Sequence, residues 1–146
     1  MVLLAALLTV SVSLTRTVGF RASHRLHDPR LSEFQNRRKF GGTADSHTHD
    51  YTCGVTIGGP DPESGMLLDL GDLDRLLAEL VVGRLDDQDL NQVVPVFADQ
   101  SRVATCEALA VWIYQQLADQ LPEGLRLERV RIAEDASLHA DCTGTS

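Results

Sequence analysis

The sequence predicts an α+β domain, an antiparallel β-sheet with two helices packed on one face. Three observations lead there. The first half carries β-branched and polar residues in alternation, the period of a half-buried strand. The second half switches to apolar residues three and four apart, the period of an amphipathic helix. Two or three strands come before two consecutive helices and one strand follows them, and there is no internal repeat or low-complexity tract. With 146 residues the chain is the size of one domain, spanning 1–146, and can bury a core without disulfides or a structural metal.

Met1 to Val10 is apolar, and Ser11-Val12-Ser13 resembles a small-residue cleavage site. The segment lacks a positive leading region and is too short to span a bilayer, so residues 1–9 read as a non-native leader or a strand extension. The first strand is expected over Val10 to Leu26, with Phe20, Ala22 and His24 on one face. His27 to Ser46, with Pro29, Gly41 and Gly42, is a long connection holding one short helix around Ser32 to Lys39. Long connections in compact domains are often functional.

His47-Thr48-His49 opens a second strand that runs through Asp50 to Ile57 and ends in the Gly58-Gly59-Pro60-Asp61-Pro62 turn. Met66 to Leu68 is expected to return antiparallel as a third. Leu73, Leu76, Leu77, Leu80 and Val81 then make an amphipathic helix, capped by Asp69 or Asp72 and stopped near Gly83. A second helix starts from a Thr105 N-cap, carries Leu109, Trp112, Ile113 and Leu117 as its apolar stripe, and is ended by Pro122 and Gly124. Leu125 to Ile132 is the last strand. Trp112 and the leucines are core.

The net charge of -8 and pI near 4.9 argue against nucleic-acid binding, which needs clustered Lys and Arg. The one basic run, Arg37-Arg38-Lys39, reads as a solvated turn. Cys53, Cys106 and Cys142 are odd in number and have no C-x-x-C spacing, which favours a reducing compartment, the cytoplasm, over a disulfide framework. No membrane partner is indicated.

Successive strand side chains alternate faces, so His47 and His49 project from the same side, roughly 7 Å apart at Cα. Two imidazoles so placed can converge on one metal ion. A catalytic zinc usually takes three protein ligands and leaves one position open, so a third donor is needed.

The segment Phe20-Arg21-Ala22-Ser23-His24, followed by Asn36, Phe40 and Gly41 and then His47-Thr48-His49-Asp50-Tyr51, resembles the zinc site of the 6-pyruvoyl-tetrahydropterin synthase and 6-carboxy-tetrahydropterin synthase family. That family's pattern runs F-x-A-x-H, N-x-x-x-F-G-K-C, H-G-H-N-Y. Further along, Gly65-Met66-Leu67-Leu68-Asp69-Leu70, Leu85-Asp86-Asp87-Gln88-Asp89-Leu90-Asn91, Thr105-Cys106-Glu107-Ala108-Leu109-Ala110 and Glu134 are similar to later segments of the family in the same order. The resemblance implies a tunnelling fold that assembles through its strands into a trimer and then a hexamer. It also implies zinc held by His24, His47 and His49, and a pterin gripped through its N–H edge by Glu134, with Glu107 and Thr105 assisting.

The family's proton-transfer groups are not matched. Thr43 stands at the cysteine position, Gly42 at the preceding lysine and Asp87 at the histidine, while Asp86 keeps the aspartate that would orient it. A threonine hydroxyl is not usefully ionised near neutral pH without a base beside it. Asp45, two residues from His47, is one replacement candidate, since a carboxylate desolvated beside a metal has a tuned pKa. Asp87, like-charged with Asp86, is another, and water activated by the metal a third. Cys53 shares the face of His47, His49 and Tyr51 and reads either as a neighbour of the metal or as a small buried hydrophobe.

The sequence therefore points to a zinc-dependent lyase of this family with a changed reaction or substrate, acting on a pterin-like or other hydroxylated small molecule. Two alternatives stand beside it: a member recruited to specialised metabolism, cyclising or dehydrating a non-pterin compound, and a non-catalytic zinc- or pterin-binding homo-oligomer.

Overall fold

A computed structural model describes residues 9–144, so the expected leader lies outside the described residues except at Thr9. Five strands form one sheet. β1 (Ser11–His24) and β2 (His47–Pro60) pair antiparallel along their whole length, from Ser11 opposite Pro60 to His24 opposite His47. β4 (Arg126–Asp135) adds antiparallel to β2 and β5 (Leu138–Thr143) antiparallel to β4. The two-residue β3 (Gln88–Asp89) runs parallel to β1 at Ala22 and Ser23, giving the order β3-β1-β2-β4-β5. Beyond that short contact the outer edge of β1 has no partner among the described residues, and neither has the outer edge of β5.

Alternation along the strands gives the sheet two unlike faces. Phe20, Ala22, Tyr51, Cys53, Val55, Ile57, Val130 and Ile132 are buried on the face that meets the helices. Thr15, Thr17, Arg21, Thr52, Thr56, Arg129 and Arg131 lie on the other, polar face. Two helical segments, side by side, cover the apolar face. The first is α2 (Leu70–Leu77), which continues through a π turn (Ala78–Val82) into α3 (Gly83–Leu85) and buries Leu73, Leu77, Val81 and Leu85. The second is α6 (Cys106–Ala118), packed on β4 and β5 through Leu109, Ile113 and Leu117.

Asp69, not Asp72, caps α2, its side chain accepting from the Asp72 amide. Gly83 does not stop the helix as the sequence suggests. A Cβ there would lie 2.7 Å from the Ala78 carbonyl, so glycine lets the widened π turn close, and the chain stays helical to Leu85. Thr105 caps α6 as expected, with its hydroxyl oxygen accepting from the Ala108 amide.

Met66 to Leu68 is not a third strand. Gly58, Gly59 and Pro60 continue the ladder with β1 instead of turning, and β4 takes the other edge of β2, so no edge is left there for the returning segment. It bends back toward Val12 and Leu14, with Leu67 and Leu68 partly buried against the core. Short α4 (Leu90–Val93) and α5 (Pro95–Ala98), together with β3 and β5, add elements beyond the sequence reading.

The long connection is tightly held. α1 (Glu33–Phe40) starts from a Ser32 capping box closed by Gln35. Buried Asn36 accepts from the Asp28 amide and donates to the carbonyls of Asp28, Leu31 and Ser32, filling its amide's bonding capacity in one turn. The Leu26 amide donates to the Thr43 carbonyl at 2.8 Å and ties the end of β1 to the 3₁₀ turn Gly41–Ala44 just before β2. No described helix is long and apolar enough to cross a membrane.

Candidate functional site

The β1–β2 ladder assembles the site. It sets His24 opposite His47 and Ala22 opposite His49, and residues directly opposite in a ladder share a face. All three imidazoles therefore project to the helix side of the sheet, each offering a ring nitrogen within 4.8 Å of the others. Their ring centroids lie 4.5, 4.9 and 5.2 Å apart.

Backbone carbonyls fix two of the rings. His24 Nδ1 is 2.7 Å from the Ala104 carbonyl, and His47 Nδ1 is 2.8 Å from the Asp45 carbonyl. A carbonyl only accepts, so each Nδ1 carries the proton and each Nε2 presents a lone pair. Nε2 of His24 and of His49 is buried without a hydrogen-bond partner. A buried ring nitrogen without a partner is costly, and three imidazole nitrogens converging this closely, two of them committed to present lone pairs, suit a cation. Three imidazole nitrogens, two oriented by carbonyls behind them, are a donor set that fits zinc.

His24 is 2 % exposed, and burial lowers its pKa to about 4, against the raising effect of the Ala104 bond; the neighbouring His47 and His49 lower it further. The folded protein thus keeps this ring neutral where the unfolded chain takes up a proton, near pH 6.5. Between those values protons favour the unfolded chain. The metal-free protein is expected to lose up to about 3 kcal/mol of stability as pH falls from 6.5 to 4. Urea unfolding across that range checks this, and a flat profile would show that His24 is not buried neutral.

Glu134 ends on the same side. It follows the last rung of β4 with β2, at Ala133, and falls at the register shift between β4 and β5. Its Oε2 lies 3.6 Å from His49 Nε2 and 3.8 Å from His24 Nε2, with 18 % of the side chain exposed. Thr105 spends its hydroxyl oxygen on the α6 cap, and Glu107 is exposed in the first turn.

The two carboxylates expected to replace the family's base, Asp45 and Asp87, and the two altered-site neighbours, Thr43 and Asp86, sit as follows. Thr43 is exposed and its hydroxyl donates to the Phe40 carbonyl at 2.6 Å. Asp45 is not desolvated: its side chain is 63 % exposed and pairs with Arg37 at 2.8 Å. That guanidinium holds the carboxyl below its usual range. What Asp45 brings to the site is its carbonyl, behind His47. Asp86 accepts from the Arg21 amide, and the Asp87 amide donates to the Arg21 carbonyl, so both secure the edge of β1. Asp87 adopts a positive φ of 59° and lines a shallow cavity with Arg21, Ser23 and Thr48, residues of the face opposite the histidines.

Cys53 is fully buried, which pushes its thiol up to about 12; it is a core hydrophobe. Cys106, in the first turn of α6, is the site neighbour that sequence reasoning missed. Burial, then the charges of Glu134 and Glu107, push its thiol up to about 12. Its place between the Thr105 cap and Glu107 was the available signal. The Tyr51 hydroxyl is also buried without a partner, and burial raises its pKa.

The profile of the family described as 6-pyruvoyl tetrahydropterin synthase matches residues 13–145. The chain is 40% identical over 124 residues to the 6-pyruvoyl tetrahydrobiopterin synthase of Poecilia reticulata, covering 83% of this chain and 82% of that one. With the Homo sapiens protein of the same name it shares 38% over 123 residues, covering 82% and 83%. Among solved structures, 6-pyruvoyl tetrahydropterin synthase of Caenorhabditis elegans superposes with a TM-score of 0.82 at 29% identity, over 93% of this chain and 97% of that one.

Proposed function

The chain belongs to the 6-pyruvoyl tetrahydropterin synthase family, and from that premise we propose that it is a zinc-dependent lyase whose reaction or substrate differs from the family's usual one. The observation that carries the zinc reading is the pair of buried, unpartnered Nε2 atoms on His24 and His49, beside His47. Zinc held there supplies a Lewis acid that polarises hydroxyl oxygens of a bound substrate.

The chain's own groups bind and orient that substrate. Glu134 offers two carboxylate oxygens to paired N–H groups of a pterin-like ring, a charge-assisted contact that fixes its angle to the metal. Glu107 adds negative charge at the same helix end, where Thr105 holds the first turn in place. Buried Ala22 and Phe20 line the sheet beneath the histidines and keep water from that side.

The altered chemistry follows from the remaining groups. The Thr43 proton is engaged by a carbonyl and no base stands behind it. The Asp45 carboxylate, paired with Arg37, is a weak base. Asp87 lies with Arg21, Ser23 and Thr48 of the sheet face opposite its own imidazoles, and Asp86 is held at the edge of β1 by the Arg21 amide, so any part they play at a metal site runs through a second copy. A homo-oligomer, trimer or hexamer, is part of this reading, supported by the two open sheet edges, which a neighbouring chain can pair. Three free cysteines are consistent with a cytoplasmic setting.

The substitutions at Gly42, Thr43 and Asp87 favour one second reading, in which the same metal site serves another hydroxylated small molecule. Calorimetry of the zinc-loaded protein with neopterin and biopterin separates the two. Saturable binding that Glu107→Gln weakens several-fold is expected. The absence of binding by either compound would remove the pterin reading.

A further inference from the structure

A cavity between the end of β1 and the turn after α5 is lined by cationic side chains and by no acidic one. We propose that it is a phosphate-binding site, in which the guanidinium groups of Arg25 and Arg102, with His27 beside them, take the phosphoryl group of a small molecule. The site is separate from the histidine cluster and does not rest on the zinc reading.

The lining is the first support. Arg25, His27 and Arg102 are the ionisable residues around a cavity of about 100 Å³, and Asn91 and Gln100 are its neutral polar ones. The chain carries 21 acidic residues against 13 basic ones, so its surface as a whole repels an anion. Physiological salt cuts that repulsion off beyond about 8 Å. A recess walled by cations, with no carboxylate among its lining residues, is where an anion can settle.

The second support is that the two guanidinium groups are uncommitted. Arg16, Arg30 and Arg131 each grip a carboxylate through two nitrogens, spending the paired donors that suit an oxyanion. The side chains of Arg25 and Arg102 make neither an ion pair nor a hydrogen bond among the described residues; only their backbones are bonded. Asp99, the acid nearest Arg102 in the chain, commits its carboxylate to the Ser101 amide at 2.8 Å. Phosphate offers a guanidinium the same two-point contact that a carboxylate does.

The third is anchoring. The Arg25 amide donates to the Asn91 side-chain oxygen at 2.8 Å, and the Asn91 side-chain nitrogen donates back to the Arg25 carbonyl at 3.2 Å. The Arg102 amide donates to the Val96 carbonyl at 2.9 Å and closes a turn in which Gln100 adopts a φ of 61°. Both cations thus rise from fixed backbone, which lowers the ordering cost of binding.

Size sets the class of ligand. Pockets for whole small molecules run to about 300–1,000 Å³, so a cavity of about 100 Å³ holds a phosphoryl group and leaves any ring outside. That group can come from two sources. Arg25 follows His24 directly, and Arg102 lies two residues before Ala104, whose carbonyl orients His24, so a compound seated at the histidines is one source and a separate phosphate ligand the other.

Calorimetry with inorganic phosphate, in a phosphate-free buffer at fixed ionic strength, tests the site. Trp112, the single tryptophan, lines a recess that Arg102 also borders, so its fluorescence gives a parallel readout. Saturable binding is expected, weakened about tenfold or more by Arg25→Gln and by Arg102→Gln, with melting temperatures unchanged. Arg38→Gln removes an exposed guanidinium over the Phe34 ring, alters net charge equally, and is expected to bind phosphate as the wild type does. So is His49→Ala, since the cavity uses none of the three histidines. Neopterin monophosphate binding more tightly than neopterin, with the gain lost in Arg102→Gln, would support the site and assign the group to a compound at the histidines. Equal binding of the two, with inorganic phosphate still bound, would support it as the site of a separate ligand. Non-saturable uptake by the wild type, wild-type affinity in both cavity variants, or an equal loss in Arg38→Gln would overturn the proposal. Loss of phosphate binding in His49→Ala would also overturn it, placing the anion at the histidines and leaving the zinc reading standing.

Discussion

His49→Ala is expected to raise the zinc dissociation constant by more than about 100-fold and to leave the purified protein without metal. Loss of a partner behind a metal ligand already costs about 10- to 100-fold, and removal of a ligand itself costs more. Only His24 and His47 would remain of the three converging nitrogens. The fold should tolerate the change, since the His49 side chain is 21% exposed and its buried Nε2 makes no hydrogen bond that would be lost. Metal analysis and chelator competition measure the outcome. Zinc retained at one ion per chain would show that the ion sits elsewhere.

Ile113→Ala is expected to destabilise the protein by about 2–5 kcal/mol, the range for truncating a fully buried aliphatic side chain. Ile113 is 0% exposed, on the face of α6 that packs against β4 and β5. For a chain of this size that is a fall in melting temperature on the order of 5–15 °C. The effect should reach the site, because the Ala104 carbonyl that orients His24 directly precedes the Thr105 cap of this helix. Metal affinity is expected to fall in parallel. A change below about 1 kcal/mol would mean that α6 does not seal the sheet at this point.

Patterns confined to one element were legible in the sequence. The stripe of Leu73, Leu77 and Val81 and that of Leu109, Ile113 and Leu117 both proved to be buried helix faces, because a 3.6-residue period is written in consecutive positions. Thr105 and Ser32 were readable as helix starts for the same local reason. Short elements with weak local signals were not. β5 presents only Ala140 and Cys142 to the core side, too little apolar character to mark a strand, and its place comes from pairing with β4. Met66 to Leu68 had strand-like residues and no free edge to join.

The site divides along the same line. From the sequence alone came the residues: two histidines on one strand face, a third through resemblance to a family pattern, and the substitutions at Thr43 and Asp87. Tertiary structure alone decided their relations. It set His24 against His47 by the register of a fourteen-rung ladder, committed each Nδ1 to a carbonyl, and brought Glu134 within 4 Å of two imidazoles. It also turned Asp45 out to Arg37 and put Asp87 across the sheet. The physical reason is that periodicity and capping act over a few neighbouring residues, whereas donor geometry and desolvation depend on atoms eighty or more positions apart, as His24 and Ala104 are, and only the folded chain brings such atoms together.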